Sequence, residues 1–156
     1  MDIRKAEQKD IKRIIELLVQ INELHAKGRP DIFKMSVSKF SENELMEIIK
    51  DGNRVSLVAV DDNDYVVGYA ICKYRIEDGE GLLLPSKSLW LEDLCVDESI
   101  RGQGVGTMLF DAIEKIAKEN DCDSITLNVW SFNEKAKDFY DMHGMKPQRT
   151  ILEKII

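Results

Sequence analysis

The sequence predicts a mixed α/β fold: a largely antiparallel sheet with helices packed on it, in one domain spanning 1–156. Three observations carry this. Two apolar, β-branched runs, Val55–Val60 and Tyr65–Ile76, flank the turn residues Asp61–Asp64 and read as an antiparallel hairpin. A stripe of apolar residues at steps of three and four runs from Val105 to Ala117, as in a helix lying on a core. Between these patterns, Gly102, Gly104 and Gly106 occupy alternate positions where a strand turns into that helix.

From the N-terminus, Ile3–Ala6 has the character of a short strand. Ile11, Ile14, Ile15 and Leu18 then recur at helical spacing, with Asn22 near the same face, until Gly28 and Pro30 break the helix. Residues 29–40 read as a loop. Ser41 with Glu44 three residues later forms a capping-box signature. It opens a second helix, holding Leu45, Ile48 and Ile49, that stops at Gly52. After the hairpin, residues 77–87 contain Gly, Pro and Ser and predict a loop, and Leu89–Val96 predicts another strand. The helix over 104–120 is followed by a strand at Ser124–Trp130 and a helix from Asn133 to His143, with Gly144 as its C-terminal cap. Thr150–Ile156 is expected to form a last strand.

Composition narrows the function classes. Hydrophobic residues at 44% and charged residues at 33% fit a folded globular chain and argue against disorder. A net charge of −7 argues against nucleic acid and anionic membrane as partners, since both reward a basic face, and it suits a cationic substrate. The N-terminal stretch lacks the pattern of a secretory signal, and no window approaches the length of apolar residues that spans a bilayer. Cys72, Cys95 and Cys122 show neither a C-x-x-C nor a metal-ligand spacing, so the expectation is reduced cysteines, a cytoplasmic location and no metal.

The glycines raise a chemical question. A helix N-terminus carries unpaired N–H groups and a partial positive charge. A loop without side chains lets a phosphate approach several of those groups at once, and Arg101 adds a full charge at the mouth. The stretch therefore reads as a pyrophosphate cradle; the competing reading is a tight turn whose glycines only allow close helix packing. A Walker loop requires a Lys after the glycines, which is missing here. A dinucleotide fingerprint requires G-x-G-x-x-G, whereas this chain has G-x-G-x-G after an antiparallel hairpin.

R-G-Q-G-V-G at 101–106 resembles the R/Q-x-x-G-x-G/A signature of the GNAT superfamily of N-acetyltransferases. N-E-K-A-K-D-F-Y-D-M-H-G-M at 133–145 is similar to that family's N-x-x-A-x-x-F-Y-x-x-x-G-F, with Met145 standing where Phe is usual. The two motifs agree in order and spacing over 89–146. The resemblance implies a sheet of six to seven strands with splayed central strands, flanked by about four helices, and acetyl-coenzyme A as co-substrate.

It also implies roles for particular residues. The main chain of Arg101, Gly102, Gln103, Gly104, Val105 and Gly106, with Thr107 close by, would hold the coenzyme's pyrophosphate. The main chain of Leu94, Cys95 and Val96 would pair with the pantetheine arm, whose two amides satisfy an open strand edge. A main-chain N–H of Leu94 or Cys95 would stabilise the tetrahedral oxygen. Asn133 and Lys135 match positions that approach the coenzyme, and Tyr140 matches a tyrosine whose hydroxyl serves as acid to the departing sulfur. A protonated amine has no lone pair, so a base must take a proton. L-E-D-L-C-V resembles the L-E-D-x-x-V of polyamine acetyltransferases, which ranks Glu92 first as base and Asp93 second. Side chains alternate along a strand, so these two carboxylates are expected on opposite faces. Phe33 and His25 are expected to line the acceptor pocket, together with Glu92. Phe139 is assigned to the core.

The combined reading is an N-acetyltransferase moving acetyl to a primary amine by direct transfer in a ternary complex. Its acceptor is a small cationic, polyamine-like amine or an amino-acid or peptide amine. The alternative is a non-catalytic acyl-coenzyme A sensor on the same fold. A homodimer is possible through the C-terminal Ile151, Leu152, Ile155 and Ile156.

Overall fold

The computed structural model describes residues 1–156. Its elements are β1 (Asp2–Lys5), α1 (Ile11–Gly28), α2 (Glu42–Lys50), β2 (Arg54–Val60), β3 (Val66–Glu77), β4 (Ser86–Val96), α3 (Val105–Glu119), β5 (Ser124–Leu127) and α4 (Glu134–Met142). The strands form one sheet in the order β1-β2-β3-β4-β5. The first four pair antiparallel, and β5 joins β4 in parallel. Three layers result. One core lies between α1, α2 and one face of the sheet, built on Leu17, Leu18, Leu45, Val58 and Tyr69. The other lies under α3, built on Leu57, Ala59, Leu89, Leu109 and Ile113. The alternation of Leu57, Val58, Ala59 and Val60 between the two cores follows from the two-residue period of a strand.

Local chemistry sets the boundaries. The Ser41 hydroxyl accepts from the Glu44 N–H while the Glu44 carboxylate accepts from the Ser41 N–H at 2.7 Å, completing the capping box. Asn133 caps α4 by accepting from the Ala136 N–H at 3.2 Å. Gly144, with φ of 77°, closes its far end.

Three expectations are corrected. The sheet has five strands rather than six or seven. Thr150–Ile156 forms no strand, and Ile151, Leu152, Ile155 and Ile156 are exposed. The apolar residues there come in adjacent pairs, Ile151-Leu152 and Ile155-Ile156, so a strand would put apolar groups on both faces and lacks the alternation that fixes one face on a core. Glu153 instead pairs with Arg29 at 2.6 Å. The strand expected over 124–130 ends at Leu127, where the chain turns away from β4.

A bulge in β4 matters most for the site. Ile71 pairs with Asp93 and Cys72 with Leu91, leaving Glu92 as an extra residue. One extra residue reverses the facing of everything beyond it. Leu89 and Leu91 therefore pack under α3, while Cys95 packs on the α1 side, beside Tyr69.

Candidate active site

β4 and β5 pair only over 88–91 and 124–127. Beyond Leu91 the two strands part; because β5 is the edge strand, this split lies toward one side of the sheet rather than between central strands as expected. A cavity of about 1180 Å³ opens in the split. It begins at the glycine corner, passes the free edge of Leu94–Val96, and ends among Phe33, His25 and Trp130.

The three glycines perform two different jobs. Gly102 and Gly104 adopt φ of 82° and 81°, in the left-handed region that side chains avoid. A Cβ at either would meet nothing within 4 Å, so the space over the corner is open. α3 also starts without a side-chain cap, which leaves its first N–H groups facing that space. Gly106 differs: a Cβ there would lie 3.3 Å from the Phe139 ring. The corner is thus open over Gly102 and Gly104 and closely packed at Gly106. Arg101 lies at the mouth, its Nε donating to the Val96 carbonyl at 3.3 Å. Val105 is 2% exposed and offers only main chain. Thr107 lines the cavity, with its Oγ1 3.4 Å from His143 Nε2, whereas Gln103 is not among the lining residues.

The bulge overturns the expectation that Glu92 and Asp93 point to opposite faces. Both carboxylates approach Lys39 Nζ, at 3.8 Å and 3.3 Å. Glu92 also accepts from Arg54 Nη1 at 2.5 Å. Asp93 Oδ1 accepts from the hydroxyl of the fully buried Tyr69 at 2.9 Å, and its Oδ2 accepts from Lys39. The extra residue thus gathers two acids on one wall of the cavity, one fixed mainly by Arg54 and the other by Tyr69.

Tyr140 lines the same cavity from α4, with Lys135 and Asn133 nearby. Burial, followed by the charge of Asp93, pushes its phenol above the ordinary value, so it remains a protonated donor at neutral pH. Cys95 is among the residues lining the cavity, but its side chain is buried, with Gln20 Nε2 at 3.3 Å from its sulfur. Burial pushes this thiol up to about 12, which leaves it protonated and unsuited to carry an acetyl group. His25 packs against Phe33 with ring centroids 5.2 Å apart, and Phe33 meets Trp130 edge-on at 5.2 Å. Burial holds the His25 imidazole below its usual value. Phe139 is half-buried between α3 and α4.

Four residues around the site carried no recognisable signal in sequence. Lys39 sits in a loop and Arg54 opens a strand; each meets the carboxylates only through the fold. Tyr69 reads as an ordinary strand aromatic until the register sets it opposite Cys95. Gln20 donates to the Val96 carbonyl at 3.1 Å and accepts from the Glu98 N–H at 3.2 Å, tying the end of β4 to α1.

The architecture is a mixed sheet split by a cleft, with an uncapped helix start and an open glycine corner at its mouth. The chain belongs to the acetyltransferase (GNAT) family, whose model matches residues 18–145, and is an N-acetyltransferase. It is 24% identical over 143 residues to thialysine N-epsilon-acetyltransferase of Mus musculus, covering 92% of this chain and 81% of that protein. Among solved structures, the tetramutant of the BH1408 protein from Bacillus halodurans is similar at a TM-score of 0.96 and 31% identity, covering 100% of both chains. The aminoglycoside N-acetyltransferase AAC(6')-Iy, solved with CoA, shares the fold at a TM-score of 0.72 and 19% identity, covering 99% of this chain and 98% of that one. No helix is long and apolar enough to cross a membrane. No cluster of His, Cys, Asp and Glu is suited to hold a metal ion.

Proposed function

We propose that the chain transfers an acetyl group from acetyl-coenzyme A directly to a primary amine, and that the preferred acceptor is a small cationic amine. The observation that carries this is the continuity of one cavity from the bare corner at Gly102 and Gly104, along the free edge of β4, to Asp93. The open corner suits a pyrophosphate, and Arg101 supplies a charge beside it. The edge of β4 at Leu94, Cys95 and Val96 has no strand partner and suits the two amides of pantetheine, although Gln20 and Arg101 donate to the Val96 carbonyl. Lys135 and Asn133 line the same path. When bound, the coenzyme supplies a thioester carbonyl as the electrophile.

The protein's own groups do the rest. Asp93, assisted by Glu92, takes a proton from the acceptor's ammonium so that its lone pair becomes available. The main-chain N–H of Leu94, on the edge of β4 that β5 leaves unpaired, stabilises negative charge on the carbonyl oxygen, whereas the main chain of Cys95 is turned toward Tyr69 of β3. Tyr140 donates a hydrogen bond to the departing sulfur. Because burial strengthens its hold on the proton, its main contribution is a held donor rather than an early proton transfer. The protonated, buried Cys95 supports transfer without a covalent enzyme intermediate.

The acceptor class is read from the far end of the cavity. Phe33, His25 and Trp130 offer an aromatic wall suited to a cation on an apolar chain, and it stands beside Glu92 and Asp93, whose present counter-ions are Arg54 and Lys39. A relative named for N-epsilon acetylation of thialysine supports an amine acceptor. Thiol release from acetyl-coenzyme A, measured across a panel of polyamines, amino acids, amino sugars and peptides, tests the proposal. Turnover with cationic amines is expected. Tight coenzyme binding without turnover of any amine would favour the sensor reading instead.

A further inference from the structure

Lys39 occupies an unusual position. Its ammonium stands 3.3 Å from Asp93 Oδ2, 3.8 Å from Glu92 Oε1 and 3.3 Å from the Glu92 carbonyl oxygen. An acceptor nitrogen that surrenders a proton to Asp93 must come within hydrogen-bond reach of that same carboxylate. A primary ammonium of this chain is already there. It lines the cavity that holds the free edge of β4 and Tyr140, and it arrives from the loop between α1 and α2. Its side chain is 43% exposed, so it is not locked into a packed core.

We propose that Lys39 is itself acetylated by this active site, within its own chain, when acetyl-coenzyme A is bound and no acceptor amine is present. The inference rests on the acetyltransferase reading above. The step balances as follows. The Lys39 ammonium passes one proton to the Asp93 carboxylate, and the freed lone pair attacks the thioester carbonyl carbon. A C–N bond forms and the C–S bond breaks, its electron pair leaving on sulfur. The nitrogen loses a second proton on becoming an amide. One of the two protons ends on the thiol and the other goes to solvent through the carboxylate. No oxidant or further reactant is required. Acetyl-Lys39 is neutral, so Arg54 becomes the remaining cation in contact with Glu92, and Asp93 keeps its bond from Tyr69.

The test is incubation of the full chain with acetyl-coenzyme A and no amine, followed by digestion and mass spectrometry. Lys115 and Lys118, at 76% and 74% exposure on the outer face of α3, report uncatalysed acetylation in the same sample. Lys39 is expected to gain an acetyl group at least about tenfold faster than either, since a held nucleophile has a raised effective concentration. Its rate per molecule is expected to stay constant on dilution and to fall to that of the controls in Asp93→Asn. In Lys39→Arg, the fast singly acetylated species should vanish from the intact mass. Free amines are assayed in parallel. Turnover of free amines with Lys39 modified no faster than Lys115 overturns this proposal alone. A Lys39 rate that scales with protein concentration also overturns it, by pointing to transfer between copies. Absence of both reactions overturns it together with the acetyltransferase reading.

Discussion

Tyr140 and Gly104 place opposite demands on the reaction. Tyr140 supplies one polar atom at the point where charge leaves, inside a shell that includes Phe110 and Phe139. Tyr140→Phe keeps the ring and removes only the donor. The expected result is a fall in kcat of about a hundredfold, with KM for acetyl-coenzyme A nearly unchanged, measured by steady-state thiol release. Gly104 acts through backbone alone. Its φ of 81° is disfavoured for any residue with a Cβ, so Gly104→Ala should cost about 1–2 kcal/mol of stability. A thermal melt reads that loss, and titration with coenzyme A should show weaker binding, because the corner's N–H groups would no longer converge.

At the scale of elements, the bulge in β4 and the seat of α4 decide the site. Without the extra residue at Glu92, strict alternation would turn Asp93 and Cys95 toward α3, away from Tyr69. The contacts to Tyr69 and Lys39 exist because the strand's facing reverses there. Phe139 of α4 rests against Gly106 of α3, and Tyr140 is the next residue. Gly106→Val would push against that ring and displace α4. The expected outcome differs from that of Gly104→Ala: kcat falls along with coenzyme affinity, because Tyr140 moves with its helix. If instead kcat were retained while only affinity fell, Gly106 would belong to the cradle alone.

For the whole molecule, the two cores set how stability depends on pH. Cys72 and Cys95 are buried in opposite layers, and burial pushes each thiol up to about 12 from an ordinary value of 9.0. Tyr69 and Tyr140 shift in the same direction for the same reason. Above the ordinary value, the unfolded chain has lost these protons while the folded chain keeps them, so the unfolded state binds fewer protons and stability falls as pH rises. The contribution is complete below about 9 and is lost progressively toward about 12. Melting temperature should therefore decline between about pH 9 and pH 12, measured by circular dichroism with reductant present; a flat profile would show that these groups are solvated in the folded state.

Much was legible because it is written in local chemistry. The capping box at Ser41 and Glu44, the stripe along α3 and the hairpin of β2 and β3 depend on neighbours in sequence, and they form where the pattern places them. The glycine corner and the Asn133–Met145 motif were legible for the same reason. The absence of a strand over Thr150–Ile156 was not legible, since a strand needs a partner edge and a single face to bury, neither of which two apolar pairs specify. Spacing and local motifs by themselves determined most of the elements and the glycine corner, and the resemblance of two motifs pointed to the family. Only the tertiary structure decided that the sheet has five strands, that Glu92 and Asp93 share a face, and that Tyr69, Lys39 and Arg54 attend them. A bulge is a mismatch in register between two strands, and register is a property of the pair rather than of either sequence.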